Sequence, residues 1–448
     1  MSAAKCKYKP YPKYKDSGVE WIGHVPEHWD VKPLWAVADC NREKLRDDEV
    51  PSTEIDYVDI SAVTYEGGIS SSQSMLFGNA PSRARRKAEK GDIAISTVRT
   101  YLKAVAEVAE EFSHCVFSTG FAIVHPKQLI HQPFLRWTIP SSSFVSAVES
   151  HSEGVSYPAI NAADLMKLKV IIPPSSDCQT IANFIERECG RIDKLVKKKL
   201  EFIALLKEKR QALITHAVTK GLDPNVEMKD SGVEWLGEVP KHWDVKRLRH
   251  VASFSNSNVD KKSYEGQKSV LLCNYTDVYY NEFIRSGMEF MEATASDAEV
   301  EKFQLRKGQI IITKDSEDPT DIGVPALVAE DFENVICGYH LTVIYPPDPN
   351  TGRYLHRSIQ SMHTRAHFYV ESPGITRYGL NQDAIGDIPV ALPPKAERKA
   401  IADHIDRETT RIDQLISKTQ ESIDLLKERK TSLITAAVTG QIDVSQSA

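Results

Sequence analysis

The stretch KDSGVEWIGHVPEHWDVKPLWAVA, which begins at Lys15, returns at Lys229 as KDSGVEWLGEVPKHWDVKRLRHVA, with 18 of 24 positions identical at an offset of 214 residues. A second pair closes each half: TIANFIERECGRIDKLVKKKLEFIALLKEKRQALITHAVTKGLD from Thr180 is echoed by AIADHIDRETTRIDQLISKTQESIDLLKERKTSLITAAVTGQID from Ala400, now at an offset of 220. The intervening sequence has therefore diverged while keeping its length to within about six residues. A chain duplicated in this way folds as two similar halves, and 448 residues suffice for separate cores.

The closing segments read as long helices. Ile185, Ile192, Leu206 and Leu213 fall at heptad steps, with Leu195, Phe202 and Ile203 beside them, and neither Pro nor Gly interrupts from Arg191 to Val218. Ile405, Ile412, Leu426 and Leu433 repeat the register, with a break at Lys199 in one copy and Thr419 in the other. Helices of this kind span roughly 60 Å and need a partner for the apolar seam. The other copy has matching length and register, so an intramolecular antiparallel pair is the simplest arrangement.

The divergent middles read as mixed sheet and helix. Strand-like runs at 91–97, 104–108, 120–126 and 169–174 recur in order at 308–314, 325–331, 340–346 and 388–394. The Pro-Pro pairs at 173–174 and 393–394 end a strand and release the chain into each long helix, with Asp177 and its neighbours as N-cap material. Trp29 and Trp243 each precede a valine-led strand and read as caps on their domain cores. The expected architecture is α+β: a first domain over 1–174, a long helix over 175–221, a second domain over 222–394, a long helix over 395–440 and a tail over 441–448. The two mixed α/β domains would be related by a pseudo-twofold.

No apolar run is long enough for a membrane span and the start has no leader-like apolar region, so a cytoplasmic protein is expected. Cys6, Cys40, Cys115, Cys178, Cys189, Cys273 and Cys337 are scattered without a C-x-x-C pair and read as reduced, mostly buried thiols, with no metal expected. Net charge is −6, which by itself argues mildly against a polyanion partner. Residues 222–392 hold 17 Lys and Arg against 26 Asp and Glu, so any contact with a polyanion must come from local clusters.

Catalytic signatures are missing. Gly-Lys never occurs, so there is no phosphate loop, and neither G-x-S-x-G nor H-E-x-x-H is present. The Pro-Pro pairs lack the polar and aromatic flanks of an amino-methyltransferase motif. The chain is therefore expected to be non-catalytic.

Candidate contacts with nucleic acid cluster around two strands. Arg83, Arg85, Arg86, Lys87 and Lys90 precede the strand at 91–97, and Arg99, Tyr101 and Lys103 follow it. The corresponding loop of the second half offers Lys314, with Asp315 and Asp318. Such runs are often only solvated faces, but mixed polarity in a variable loop suits base reading, since Arg and Lys bond guanine edges or phosphate while Asp and Glu accept from cytosine. In the loops at 153–161 and 373–381, Tyr157, Arg377 and Tyr378 either contact DNA or cover the sheet edge.

Taken together, the paired S-G-V-E-W-[IL]-G-x-V-P-x-H-W openings, the K-G-[DQ]-I-x-I strands, the V-x-[IL]-P-P lead-ins and the R-I-D-x-L helices ending L-I-T-x-A-V-T resemble the DNA-specificity subunit of type I restriction-modification systems. The likeness covers nearly the whole chain. The first lead-in, SSDCQTI, departs from the acidic-basic start kept in the second, KAERKAI. The resemblance implies two target-recognition domains, each reading half of a bipartite asymmetric DNA site, and a helix pair that sets their spacing. It implies double-stranded DNA, two modification subunits and restriction subunits as partners, with S-adenosylmethionine, ATP and Mg²⁺ on those partners and no cofactor on this chain. Two alternatives stay open: a specificity subunit for a methyltransferase without a restriction partner, and a coiled-coil scaffold that binds no DNA.

Overall fold

The structure, a computed structural model, describes residues 8–46, 48–65 and 67–445; Cys6 lies outside them. Two compact units form, one from the chain up to Lys198 together with the stretch from Glu421 onward, the other from Lys199–Gln420. Each unit takes part of both long helices, which run over Ser175–Lys220 and Lys395–Val438. The first helix begins at Ser175, so Asp177 lies inside the opening turn and not ahead of it as cap material. An acid in a first turn still faces the positive end of the helix dipole.

In the first unit, one antiparallel sheet has the order Val105–Glu107, Ile93–Ser96, Phe121–Pro126, Ala38–Cys40. A second has the order Gln73–Leu76, Glu54–Val58, Val116–Ser118, Ala84–Lys87, its central pair running parallel. The other unit repeats the plan. Its five-stranded sheet runs Ser253–Asn256, Leu341–Tyr345, Ile310–Thr313, Pro325–Val328, Phe283–Ile284. Its three-stranded sheet runs Met291–Ala295, Lys268–Cys273, Val335–Cys337, again with one parallel pair. Every strand-like run named above lies on an observed strand, because those runs are apolar and bounded by turn residues.

The opening motif of each half bonds to the strand that leads into its Pro-Pro pair. Asp30–Pro33 pairs antiparallel with Lys169–Ile172, and Asp244–Arg247 with Pro389–Leu392. Trp29 and Trp243 are wholly buried, each between helix ends. In the second unit, Trp243 Nε1 donates to Glu397 Oε1 at 3.1 Å, at the start of one helix, and its ring lies against Gly221, at the end of the other. Gly221 has φ +76°, and a Cβ there would approach the Trp243 ring to 3.2 Å, so both conformation and space call for glycine. In the first unit Gly440 plays the same part against Trp29, with φ +70°. Around it, Tyr14 Oη donates to Gly440 O, Asp443 N donates to Lys9 O, and Ile442 and Val444 are buried with Tyr11 and Val25. The residues just after the second helix therefore pack on those near the beginning of the chain.

The helices are antiparallel in both units. In the first, Ile181, Ile185 and Cys189 share a core with Ala437 and Val438, and Lys430 Nζ meets Asp193 at 2.7 Å. In the second, Ile214, Ala217 and Val218 share a core with Ile401 and Ile405, and Arg210 Nε meets Asp413 at 3.0 Å. Of the heptad residues, Ile185, Ile192, Leu206, Ile405 and Ile412 are buried, while Leu213, Leu426 and Leu433 are half-buried. Ile203 is buried, but Leu195 and Phe202 keep about half of their surface exposed, so the seam is narrower there than the heptads imply.

A dense ion network ties helix to domain in the second unit. Arg357, almost wholly buried, bonds Glu282 and Asp406; Arg210 bonds Glu282; Arg353 bonds Asp403 and Asp406. Burial would raise the Glu282 carboxyl, but the facing Arg357 and Arg210 guanidiniums more than offset it and hold it at about 2. The fully buried His356 beside them is pushed down to about 3 by burial first and by Arg357 second, so it is neutral in the fold.

Candidate nucleic-acid interface

The loop that follows Ile93–Ser96 in the first unit, or Ile310–Thr313 in the second, makes one surface per unit with the loop that precedes the last short helix before the Pro-Pro lead-in. In the first unit, Val98 bridges Ala159, Ile160 N donates to Thr97 O and Thr100 Oγ1 donates to Ser152 Oγ at 2.9 Å. These bonds hold 97–103 against 152–160. Arg99 sits at φ 51° and Lys103 at φ 53°, left-handed conformations uncommon for such residues. The exposed Arg99 guanidinium lies 5.1 Å from the Tyr157 ring centroid and has no carboxylate partner among the described residues. Tyr101 is exposed beside it, while Lys103 Nζ is held by Glu149 at 3.2 Å. Arg99 and Tyr157 are thus brought together, with Tyr101 exposed on the same loop.

The other basic run is placed differently from the expectation. Ala84–Lys87 is itself an edge strand, paired with Val116–Ser118, and not a loop. The short polar sequence gives little strand signal, and the pairing comes from a distant partner. Arg83 bonds the Tyr57 hydroxyl and, at 3.0 Å, Asp59. Arg85 stacks on Phe77 and donates to Ala84 O, and Lys90 meets Glu110 at 2.6 Å. Arg86 Nε is buried without a bond among the described residues. Lys87 remains exposed.

In the second unit the corresponding surface has a small ribbon, Asp315–Ser316 antiparallel with Tyr378–Gly379. Lys314 is mostly buried, with Nζ 2.6 Å from Asp315 and 5.9 Å from the Tyr339 ring. His340, at φ 68°, gives its Nδ1 to Asp315 at 2.5 Å, and the exposed Arg377 lies within 3.4 Å of the His340 ring nitrogens. Burial would raise the Asp315 carboxyl; the bonds from Lys314 and His340 outweigh it and hold it low. Tyr378 is half-buried against the core, whereas Arg377 is exposed.

Beside this ribbon lies a concave site of about 450 Å³ that includes Tyr275, Tyr279, Tyr280, Asp315, His340 and Arg377. Sequence reasoning misses its tyrosines. The run YTDVYY directly after a strand is the available signal, and a reading based on charge passes over it.

Among the described residues, no three His, Cys, Asp or Glu are placed to hold a metal, and no helix is long and apolar enough to cross a membrane. Cys115, Cys178, Cys189, Cys273 and Cys337 are buried and Cys40 is half-buried, all as free thiols.

Residues 240–425 match the family described as Type I restriction modification DNA specificity domain. The chain is 21% identical over 323 residues to the type I restriction enzyme EcoKI specificity subunit of Escherichia coli K12, covering 68% of this chain and 65%, just under two thirds, of that protein. It is also 21% identical over 460 residues to the putative type I restriction enzyme MjaX specificity subunit of Methanocaldococcus jannaschii, covering 94% of this chain and 96% of that one. In fold, it matches a chain from a structure of a type I R-M system with TM-score 0.72 at 21% identity, covering 93% of this chain and 99% of the other. The HsdS subunit of Thermoanaerobacter tengcongensis matches with TM-score 0.54 at 20% identity, covering 93% and 98%.

Proposed function

We propose that this chain, which belongs to the type I restriction-modification DNA-specificity subunits, reads a bipartite, asymmetric double-stranded DNA site, one half with each unit, and directs the chemistry of partner subunits to it. The observation that carries this reading is the pair of equivalent surfaces with unlike chemistry. The first unit offers Arg99 with Tyr101 and Tyr157, and the second offers Asp315, His340 and Arg377 with a tyrosine wall. One scaffold with two different faces suits two different half-sites. The chain itself is non-catalytic in this reading and binds no cofactor. A modification subunit brings S-adenosylmethionine and methylates adenine; a restriction subunit brings ATP- and Mg²⁺-dependent cleavage. The long helices, each shared between units, determine the number of base pairs between half-sites.

Selection of bound sequences from a random pool, with the chain assembled on its methyltransferase partner, tests the reading. Arg99→Ala is expected to cost about 1 to 3 kcal/mol and to relax preference at one position of one half-site. Lys87→Ala is expected to weaken all sequences alike and to flatten the salt dependence by about one ion. A chain that selects no sequence at all would leave the scaffold role as the better account.

A further inference from the structure

The loop after Ile93–Ser96 and the loop after Ile310–Thr313 have opposite charge. Residues 97–103 carry Arg99 and Lys103 and no acid, whereas residues 314–323 carry one cation, Lys314, and four acids, Asp315, Glu317, Asp318 and Asp321. In the second unit these acids are unequally committed. Asp315 is engaged by Lys314 and His340. Asp318 accepts from Thr320 N at 2.8 Å and closes its own turn. Asp321 accepts from the Tyr279 hydroxyl through one oxygen, Oδ2. Glu317 is exposed and makes no ion pair among the described residues. The concave site thus keeps a free carboxylate at Glu317 and one carboxylate oxygen at Asp321, both on its lining.

The same lining is aromatic beside these acids. Tyr275 and Tyr279 stack with ring centroids 5.7 Å apart, Tyr280 meets Tyr279 edge-on at 4.9 Å, and Tyr280 is largely exposed. Carboxylates beside a DNA backbone are repelled by phosphate, so this surface gains nothing by lying along a strand. The groups on DNA that a carboxylate accepts from in the major groove are the exocyclic amines, N4 of cytosine and N6 of adenine. Tyrosine rings that displace water from the same concavity strengthen such a bond, because a charge-assisted hydrogen bond is stronger away from bulk solvent. Arg377, at the rim beside His340, is the cation placed to hold the backbone.

We infer that the second unit reads the exocyclic amino group of a cytosine or adenine through Glu317 and Asp321, against the Tyr275, Tyr279 and Tyr280 wall, so that its half-site is defined by donors where that of the first unit is defined by acceptors. This rests on the reading that both surfaces meet DNA. Glu317 and Asp321 are specificity determinants, and Tyr279 is a positioning residue that orients Asp321.

The test uses the full chain on its methyltransferase partner. Wild type, Glu317→Ala, Glu317→Gln, Asp321→Asn and Arg99→Ala are each taken through selection, with circular dichroism confirming the fold. The Glu317 and Asp321 variants are expected to change preference at one or two neighbouring positions of one half-site, and Arg99→Ala to change only the other. At the affected position, 2-pyrimidinone in place of cytosine, or unsubstituted purine in place of adenine, removes the amine; which analogue acts identifies the base. The effective analogue should weaken wild type about tenfold and Glu317→Ala hardly further. A preference that stays unchanged at every position in all Glu317 and Asp321 variants, or indifference of the wild type to both analogues throughout both half-sites, overturns the inference while leaving the DNA-reading role intact. Loss of all sequence preference in the wild type removes that role itself, and this inference with it.

Discussion

Glu397 and Asp177 occupy equivalent places in the two halves and differ by one methylene. The longer Glu397 reaches both Trp243 Nε1, at 3.1 Å, and His242, at 2.9 Å. The shorter Asp177 stays 3.8 Å from His28, and Trp29 Nε1 is buried with no acceptor among the described residues. An unsatisfied buried donor costs more than a bond gains, so Asp177→Glu is expected to stabilise the first unit by about 1 kcal/mol, read by chemical denaturation. A second effect at this scale is acid sensitivity. His356 has its folded-state pKa depressed to about 3, so below the ordinary histidine range the unfolded chain binds a proton that the fold does not. Its contribution is complete at pH 7 and is lost as pH falls from about 6.5 toward 3, with a limiting slope of about 1.4 kcal/mol per pH unit. Glu282, also depressed, adds a further loss between about pH 4.5 and 2. His356→Leu is expected to flatten the stability profile between pH 6.5 and 4.5; an unchanged slope in denaturant titrations across that window would contradict the assignment.

Among the elements, the two long helices pack on each other within each unit. Ile405 is wholly buried with Ile214 and Val218, while Leu195 keeps about half of its surface, 48%, exposed. Ile405→Ala should therefore cost about 2 to 5 kcal/mol, whereas Leu195→Ala should stay within about 0.5 kcal/mol. Equal losses from the two substitutions would mean that the heptad pattern, and not the observed seam, governs the pairing. The same element shows why periodicity alone misplaces Leu195. A heptad names a face, but the width of the buried stripe depends on how closely the partner approaches. The edge strand at Ala84–Lys87 makes the complementary point: a run rich in arginine has no strand alternation of its own, and hydrogen bonds from Val116–Ser118 make it one.

For the whole molecule, the proposed role of the helices as a ruler predicts a change in DNA spacing. Four residues inserted after Lys199 lengthen the first helix by about 6 Å and turn its C-terminal part by roughly 40°. The helical face is nearly kept, and the reading loops are untouched. The selected half-site bases should stay as they are and the spacer should grow by one or two base pairs, at about 3.4 Å each. Altered bases with an unchanged spacer would exchange the roles assigned to loops and helices.

The duplication, the two long helices, the order of the apolar strands and the burial of Trp29 and Trp243 were all legible in the sequence, because each depends on local periodicity or on residues that repeat. The candidate surfaces were legible only in part. Arg99 and Tyr157 are 58 residues apart, and their stacking follows from backbone bonds between two loops. The engagement of Arg83 and Lys90 by Asp59 and Glu110, and the assembly of the tyrosine wall beside the acids of the second unit, likewise depend on tertiary placement. A charge in a sequence has no known partner, and whether it is free to meet a ligand is decided by which distant carboxylate the fold brings within hydrogen-bonding distance.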